Sequence, residues 1–342
     1  MKKVIKKASW KNITFMTPKI GFKEWAKDGV TVTLEKDYVF NTTDQIEALA
    51  VSVNPSYHSE ATCYIAIDEL KSIHAKSKRR EKIQLLNGDV YDKEKLLKKM
   101  YDDSFYYGEL GKYALSSSSI KYLLDSPKEY ARSLNYTSDN PAFKTGRLIH
   151  LAALEPDKVD KIVHVVEVQS AVTKAYKEKV KEVGNANFVY TRKDYDRAMY
   201  TVDALLQNDV WQQLTRDAKF EVPGFDIVQG YPFRAKADVL GNGYIADLKT
   251  TSDLKAFKYS AKKYNYDIQV YIYCKIFNIE WNNFIFFAID KSSGDLGTYD
   301  VTENFYNSGK DKVEYALKVY EQYFVKKERE LNEYIIRGTL DA

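Results

Sequence analysis

Two acids and a lysine stand close together in the chain: Asp238, Asp247 nine residues later, and Lys249 two further on. The residues around them alternate in polarity, and Gly241-Asn242-Gly243 interrupts the pattern, which predicts two strands joined by a tight turn. Alternate side chains of a strand share a face, so Asp247 and Lys249 point to the same side and the hairpin brings Asp238 beside them. Two neighbouring carboxylates repel each other unless a cation lies between them. An oxygen-rich ligand set with room for water suits Mg2+, with Mn2+ able to substitute. Such an ion lowers the pKa of a bound water and clamps a phosphoryl oxygen, while the Lys249 ammonium orients the nucleophile or neutralises transition-state charge.

The elements that must hold this hairpin are legible in the pattern. Strands are expected over 219–222, 225–229, 233–240 and 243–249, a meander punctuated by Pro223-Gly224, by Gly230 and by the glycine turn. Helices follow over 253–262 and 267–277, then strands over 283–290 and 297–301. A long amphipathic C-terminal helix carries Val313, Leu317, Tyr320, Phe324, Leu331 and Tyr334. Upstream, the serines at 116–119 predict a helix cap ahead of the apolar stripe Ile120, Leu123 and Leu124, stopping before Pro127. A short helix over 129–134, an apolar helix over 145–154 ended by Glu155-Pro156, and polar helices over 171–183 and 192–207 complete this region. The first hundred residues mix strands at 29–34 and 62–67 with a helix start at 41–44, and Asn87-Gly88 marks a turn before a charged helix at 93–100. The expected organisation is a small N-terminal α+β region over 1–105, of unassigned role, and a larger domain over 106–342.

Composition bounds the function. The 342 residues are 44% hydrophobic with only 15 Gly and 7 Pro, which excludes collagen-like and wholly disordered chains. The longest apolar runs, 148–154 and 283–289, are far shorter than the roughly 20 residues a membrane helix needs, and the basic start of the chain has no apolar stretch behind it. A cytoplasmic location is therefore expected. Cys63 and Cys274 are too few for an iron–sulfur cluster or a four-cysteine zinc site and read as buried thiols. A net charge of +4 is only mildly basic, so any nucleic-acid groove must come from local clustering of Lys and Arg. The run Lys76 to Arg80 reads as a solvated helix face, and the 28 tyrosines could supply base-stacking surface. Gly108 to Lys112 lacks the spacing and hydroxyl residue of a phosphate-binding loop, so no ATP site is expected.

The acid–acid–lysine pattern resembles the motif of the PD-(D/E)XK nuclease superfamily, with Asp238 as the first acid and Asp247-Leu248-Lys249 as the second half. Gly146 to Pro156, with His150 at its centre, resembles the glycine-to-histidine helix of RecB- and RecE-type nucleases. Leu115 to Tyr130 is similar to the serine-rich opening of these domains, and Gln269 to Tyr273 to the Gln-x-x-x-Tyr helix beyond the hairpin. Together these segments cover about residues 113–290. The wording Leu-Glu-Pro after the histidine helix and Asp-Leu-Lys-Thr-Thr at the centre looks most like RecE-type phage recombination exonucleases.

The resemblance implies a restriction-endonuclease-like α/β core, with a central mixed β-sheet flanked by helices. It implies that His150, Asp238, Asp247 and the Leu248 carbonyl hold the divalent metal and that Lys249 is catalytic. It also implies that Gln269 and Tyr273 position the strand or the lysine, and that Ser117, Ser119 and Arg147 contact DNA phosphates. Glu155 and Glu221 are weaker candidates for a second metal. The activity implied is Mg2+-dependent, ATP-independent digestion of linear double-stranded DNA from its ends, 5′ to 3′, in recombination or repair. The 3′ single strands left behind would pass to a RecT-like annealing protein, and such enzymes can act as homo-oligomers. An endonuclease or a flap or single-strand nuclease on the same core is the first alternative, and a catalytically quiet DNA-binding or assembly module the second.

Overall fold

The computed structural model describes residues 82–135 and 143–336 in full, and in the first 81 residues it describes strand backbone alone. The chain divides into two units, Met1–Glu81 and Lys82–Ala342. In the first, β1 (Val4–Ile5), β2 (Thr14–Thr17), β3 (Gly21–Glu24), β4 (Val32–Asn41), β5 (Glu47–Val53) and β6 (Thr62–Ala66) form an antiparallel sheet in the order β1-β4-β5-β6-β2-β3. The expected strands at 29–34 and 62–67 fall on β4 and β6. Of the expected helix start at 41–44, Asn41 instead ends β4, while 42–44, the basic run at 76–80 and the Cys63 side chain lie outside the described residues.

The second unit begins at Lys82 rather than near the expected boundary at 105, and packing explains the difference. A hairpin of β7 (Lys82–Gln84) and β8 (Val90–Asp92) turns at Gly88, whose φ of +90° suits glycine, and leads into α1 (Lys93–Lys99), capped by the Asp92 side chain. These pieces are too small to bury their own apolar faces. Ile83, Leu85, Leu96 and Met100 therefore share one core with Phe105, Leu110 and, from the central sheet, Phe225. A π-helical turn at Phe105–Glu109 and α2 (Leu110–Tyr113) follow.

Ser116 caps α3 (Ser117–Asp125), and Ser126 with Pro127 at the first helical position starts α4 (Pro127–Ser133). α5 (Lys144–Leu154) ends as expected before Pro156, which opens α6 (Pro156–Ile162). A short parallel pair, β9 (His164–Val166) and β10 (Val189–Thr191), is bridged by α7 (Lys174–Val183), and α8 (Arg192–Leu206) and α9 (Asp209–Thr215) come next.

The central sheet is five-stranded and mixed: β11 (Lys219–Val228), β12 (Tyr231–Leu240), β13 (Ile245–Thr251), β14 (Phe284–Asp290) and β15 (Leu296–Asp300), paired in that order. β13 and β14 are parallel and the other pairs antiparallel, so the chain crosses over between them through α10 (Phe257–Lys263) and α11 (Tyr266–Phe277). β11 runs unbroken through Pro223-Gly224, where two strands were expected. Gly224 is required there because a Cβ would lie 2.5 Å from the Phe277 ring of α11. α12 (Glu303–Tyr320) is shorter than expected: a π-helical turn at Glu321–Val325 ends it, and Leu331 lies on a separate 3-10 turn.

Helices cover both faces. α3, α11 and α12 bury Ile120, Ile268, Ile272, Val313 and Leu317 against Phe233, Ile245 and Phe284 on one side. α5, α8 and α9 bury Leu148, Ile149, Val202 and Trp211 against Ala246, Leu248 and Phe287 on the other. Cys274, on α11, is buried. No helix among the described residues is long and apolar enough to cross a membrane.

Asp267 welds α12 to α11. Its buried carboxylate accepts from the Ser308 hydroxyl at 2.7 Å and the Lys312 ammonium at 2.6 Å, and Gly309 lies so close that a Cβ would stand 2.0 Å from the Asp267 carbonyl oxygen. Gly309→Ala must therefore push the two helices apart. The expected cost is at least about 2 kcal/mol, or a melting temperature lower by roughly 5 °C, read by thermal unfolding of the full chain.

Candidate active site

The site lies where the sheet comes apart. β12 and β13 pair only through Val239 with Ala246 and Leu240 with Ile245. Beyond that point the Leu248 N–H of β13 finds the Asp238 side chain, whose Oδ2 accepts it at 2.9 Å. The first acid thus takes over the work of a ladder partner and is held against the strand that carries the second. Asp247 is fully buried: Gln269 of α11 donates to its Oδ1, and the Lys249 ammonium pairs with its Oδ2. That Oδ2 has the ion contact but no hydrogen bond of good geometry, an unusual state for a buried carboxylate oxygen.

The electrostatics follow from this crowding. Burial, and then the Asp247 charge, raise the Asp238 carboxyl well above the ordinary range, against the pull of Lys249 and the Leu248 N–H. Burial opposes the Lys249 charge, but Asp247 and Asp238 outweigh it and the ammonium is held more firmly than in water. His150 of α5 places Nδ1 3.6 Å from Asp238 Oδ2. Burial, reinforced by Lys249, pushes its imidazole down to about 4, so at neutral pH the ring is uncharged and can act as a ligand. Gly146, one turn earlier on α5, allows this approach, since a Cβ there would stand 2.7 Å from Thr250 Oγ1 on β13.

As the side chains are placed, no group of three or more His, Cys, Asp and Glu among the described residues closes around a metal position. The donors nonetheless suit a divalent cation. Two buried acids face each other across the fraying strands, Asp247 Oδ2 lacks a hydrogen bond, and a neutral imidazole lies beside Asp238. Lys249 by itself offsets the charge of only one of the two acids.

The site opens on a cavity of about 610 Å³ lined by Lys121, Arg147, His150, Lys249, Tyr266 and Lys291, among others. A larger one of about 790 Å³ beside α4 is lined by neither His150 nor Lys249. The remaining expected residues divide. Arg147 lines the 610 Å³ cavity, and Gln269 holds Asp247 directly. The Tyr273 hydroxyl donates instead to the Lys236 carbonyl at 3.0 Å, fixing β12 rather than the lysine. Ser119 forms a reciprocal cap with Ser116, and neither it nor Ser117 lines the cavity.

Glu155 and Glu221 join a neighbouring charged cluster in which Lys158 pairs with Glu155 at 2.6 Å and with Asp103 at 3.3 Å. In the same cluster Lys236 pairs with Asp103 and lies 3.8 Å from Glu221. Tyr266 opens the Tyr-x-x-Gln-x-x-x-Tyr stretch of the sequence, but the spacing alone gives it no role. Its ring lies 5.0 Å from the Lys249 ammonium and 5.3 Å from that of Lys121, and only the tertiary fold brings α3 and α11 together there.

A mixed sheet whose fraying central hairpin presents an acid, a second acid and a lysine defines the PD-(D/E)XK class of fold. The chain belongs to the family described as "PDDEXK-like domain of unknown function (DUF3799)", whose model matches residues 116–333, from the cap of α3 to the last 3-10 turn. A crystal structure of a protein from Eubacterium rectale that carries an inferred exonuclease designation is similar at a TM-score of 0.48. It has 17% identity over 70% of this chain and 95% of that one. SSO0001, also of known structure, aligns at a TM-score of 0.25 with 13% identity over 58% of this chain and 85% of that one. No curated protein matches significantly.

Glu221 yields a pH prediction. Burial first, with Glu155 and Asp103 adding to it, raises its carboxyl from 4.5 to about 7. Between these values the folded chain binds this proton more tightly than the unfolded chain, so the stabilisation is complete below pH 4.5 and is lost as pH rises through 7. Glu221→Gln, which is neutral at every pH, should match the wild type near pH 4.5. At pH 8 it should exceed it by up to about 3 kcal/mol, as measured by denaturant unfolding at the two pH values.

Proposed function

We propose that this protein is a divalent-metal-dependent deoxyribonuclease that digests linear double-stranded DNA from its ends. The observation that carries the reading is the set of Asp238, Asp247 and Lys249, fixed by the Leu248 N–H and Gln269, whose Lys249 opens on a cavity lined with cations. Family membership supports a nuclease, and the order of the sequence motifs supports the exonuclease form.

The residues divide the work. Asp238, Asp247, His150 and the Leu248 carbonyl would hold a Mg2+ or Mn2+ ion, which when bound supplies Lewis acidity and a water of lowered pKa. Gln269 keeps Asp247 in one rotamer, so the ligand set is organised before substrate arrives. Lys249, held between Asp247 and the face of Tyr266, offers its ammonium to the charge that develops on the scissile phosphate. Arg147 and Lys291, on the cavity wall, bind the flanking strand.

Polarity 5′ to 3′, independence of ATP, a RecT-like annealing partner for the 3′ strand and assembly into homo-oligomers extend the same reading.

Linear duplex labelled separately at its 5′ and 3′ ends, with closed-circular and single-stranded controls, tests it in Mg2+ against EDTA. Metal-dependent release of 5′ label from linear DNA alone is the expected result. Cutting of circles would move the protein to the endonuclease alternative, and no cleavage with either metal would favour the binding module. Asp247→Asn and Lys249→Ala should each lower cleavage at least about a thousandfold, and Asp247→Asn should leave duplex affinity within about threefold of wild type.

A further inference from the structure

One cation of the catalytic cavity has no assigned work. Lys121 of α3 lines the cavity with Lys249, and its ammonium lies 5.3 Å from the centre of the same Tyr266 ring that Lys249 approaches to 5.0 Å. Several lysines elsewhere in this unit that leave the solvent reach oxygen. Lys144 bonds the Tyr176 hydroxyl and the Val189 carbonyl, Lys236 pairs with Asp103, and Lys312 pairs with Asp267 and Asn265. Lys121 has no hydrogen bond or ion pair with any described residue, only the ring face. Burial first, and then the Lys249 charge, push its ammonium down to about 8, so it is still charged at neutral pH but held at a cost. An unpaired cation kept half-buried beside a second cation, in a cavity open to solvent, is unfavourable in the free protein and becomes favourable when an anion enters.

We propose that Lys121 is a substrate contact: with Lys249 it forms a two-cation cradle across Tyr266 that receives a phosphodiester of the nucleic-acid strand. This deepens the nuclease reading and rests on it for the identity of the anion. The division of labour follows from the pairing. Lys249 is tied to Asp247 and serves the reacting phosphate, whereas Lys121 is free to grip the backbone and set the register of the strand. Gly and Pro are absent from α3, and its start is fixed by the Ser116–Ser119 cap, so the ammonium is presented from a rigid element.

The two roles a lysine could have here move stability and affinity in opposite directions. If the ammonium serves the fold, Lys121→Met destabilises it. If it serves a ligand, Lys121→Met removes an unpaired charge, keeps the apolar stem and leaves the free protein as stable or more so.

The experiment uses the full chain as wild type, Lys121→Met, Lys121→Arg and Asp247→Asn. It measures thermal unfolding, affinity for a short linear duplex in EDTA over a range of salt, and cleavage in Mg2+. Lys121→Met is expected to melt no lower than wild type, to bind about five- to tenfold more weakly, and to show a slope of log affinity against log salt shallower by about one. Lys121→Arg should restore most of the affinity, and Asp247→Asn should bind as wild type does. A Lys121→Met protein that binds with wild-type affinity and slope, or that melts lower or fails to fold, overturns the assignment, as does a wild type that does not bind the duplex. Wild-type cleavage beside unchanged Lys121→Met binding rejects only the Lys121 contact. Binding that depends on Lys121 without cleavage in any metal keeps the cradle and rejects the nuclease.

Discussion

Holding two carboxylates side by side in a protein interior is expensive, and much of the second unit is arranged around that expense. Asp247 sits entirely out of solvent and Asp238 nearly so, and the Asp247 charge adds to the cost of charging Asp238. Three groups offset the repulsion: the Leu248 N–H, the Gln269 amide and the Lys249 ammonium. Each comes from a different structural device, namely an interrupted strand ladder, a helix of the crossover connection and the alternation along β13. The ladder must stop at Val239 for Asp238 to take the Leu248 N–H, which is why a hairpin of such length is paired over so few residues.

That arrangement in turn demands close packing around the sheet. α5 can bring His150 to Asp238 only because Gly146 lets the helix touch Thr250, and α11 can bring Gln269 to Asp247 only because Gly224 lets β11 pass beneath Phe277. Gly309 acts in the same way in the next layer out, where α12 closes on the backbone of α11. At Gly146 and Gly224 the crowding atoms are side chains of the neighbouring element, whereas at Gly309 they are main chain, and there a methyl group would push a helix off its seat.

Two charged regions then lie near each other with different characters. Around Asp103, Lys158, Lys236, Glu155 and Glu221 positive and negative groups interleave, so the charges are largely spent on one another. In the cavity lined by Lys121, Arg147, Lys249 and Lys291 the cations outnumber their partners. A surface of the first kind holds structure together, and one of the second kind keeps an unbalanced positive charge. The net charge of +4 conceals this difference because it averages over both.

Much was legible in the chain itself. Asp238, Asp247 and Lys249 are close in sequence and on strands, where a period of two settles the facing, and the Ser116 cap and the Pro127 and Pro156 breaks are local rules that tertiary contacts did not override. Local rules misled where packing decides. Pro223-Gly224 reads as a break but is absorbed into β11, because its glycine makes room for α11. The boundary moved from 105 to 82 because a small hairpin and helix borrow a core from Phe225. Ser119, read as a phosphate contact, gives its hydroxyl to the helix cap, and Tyr273, expected to position the strand or the lysine, reaches the Lys236 carbonyl of β12. Sequence by itself determined that two acids and a lysine would meet on one hairpin, because strand alternation and turn signals act over a few residues. Tertiary structure alone decided which groups surround them, Tyr266 and Lys121 above all, because α3 and α11 meet through long-range burial of apolar faces that no local spacing encodes.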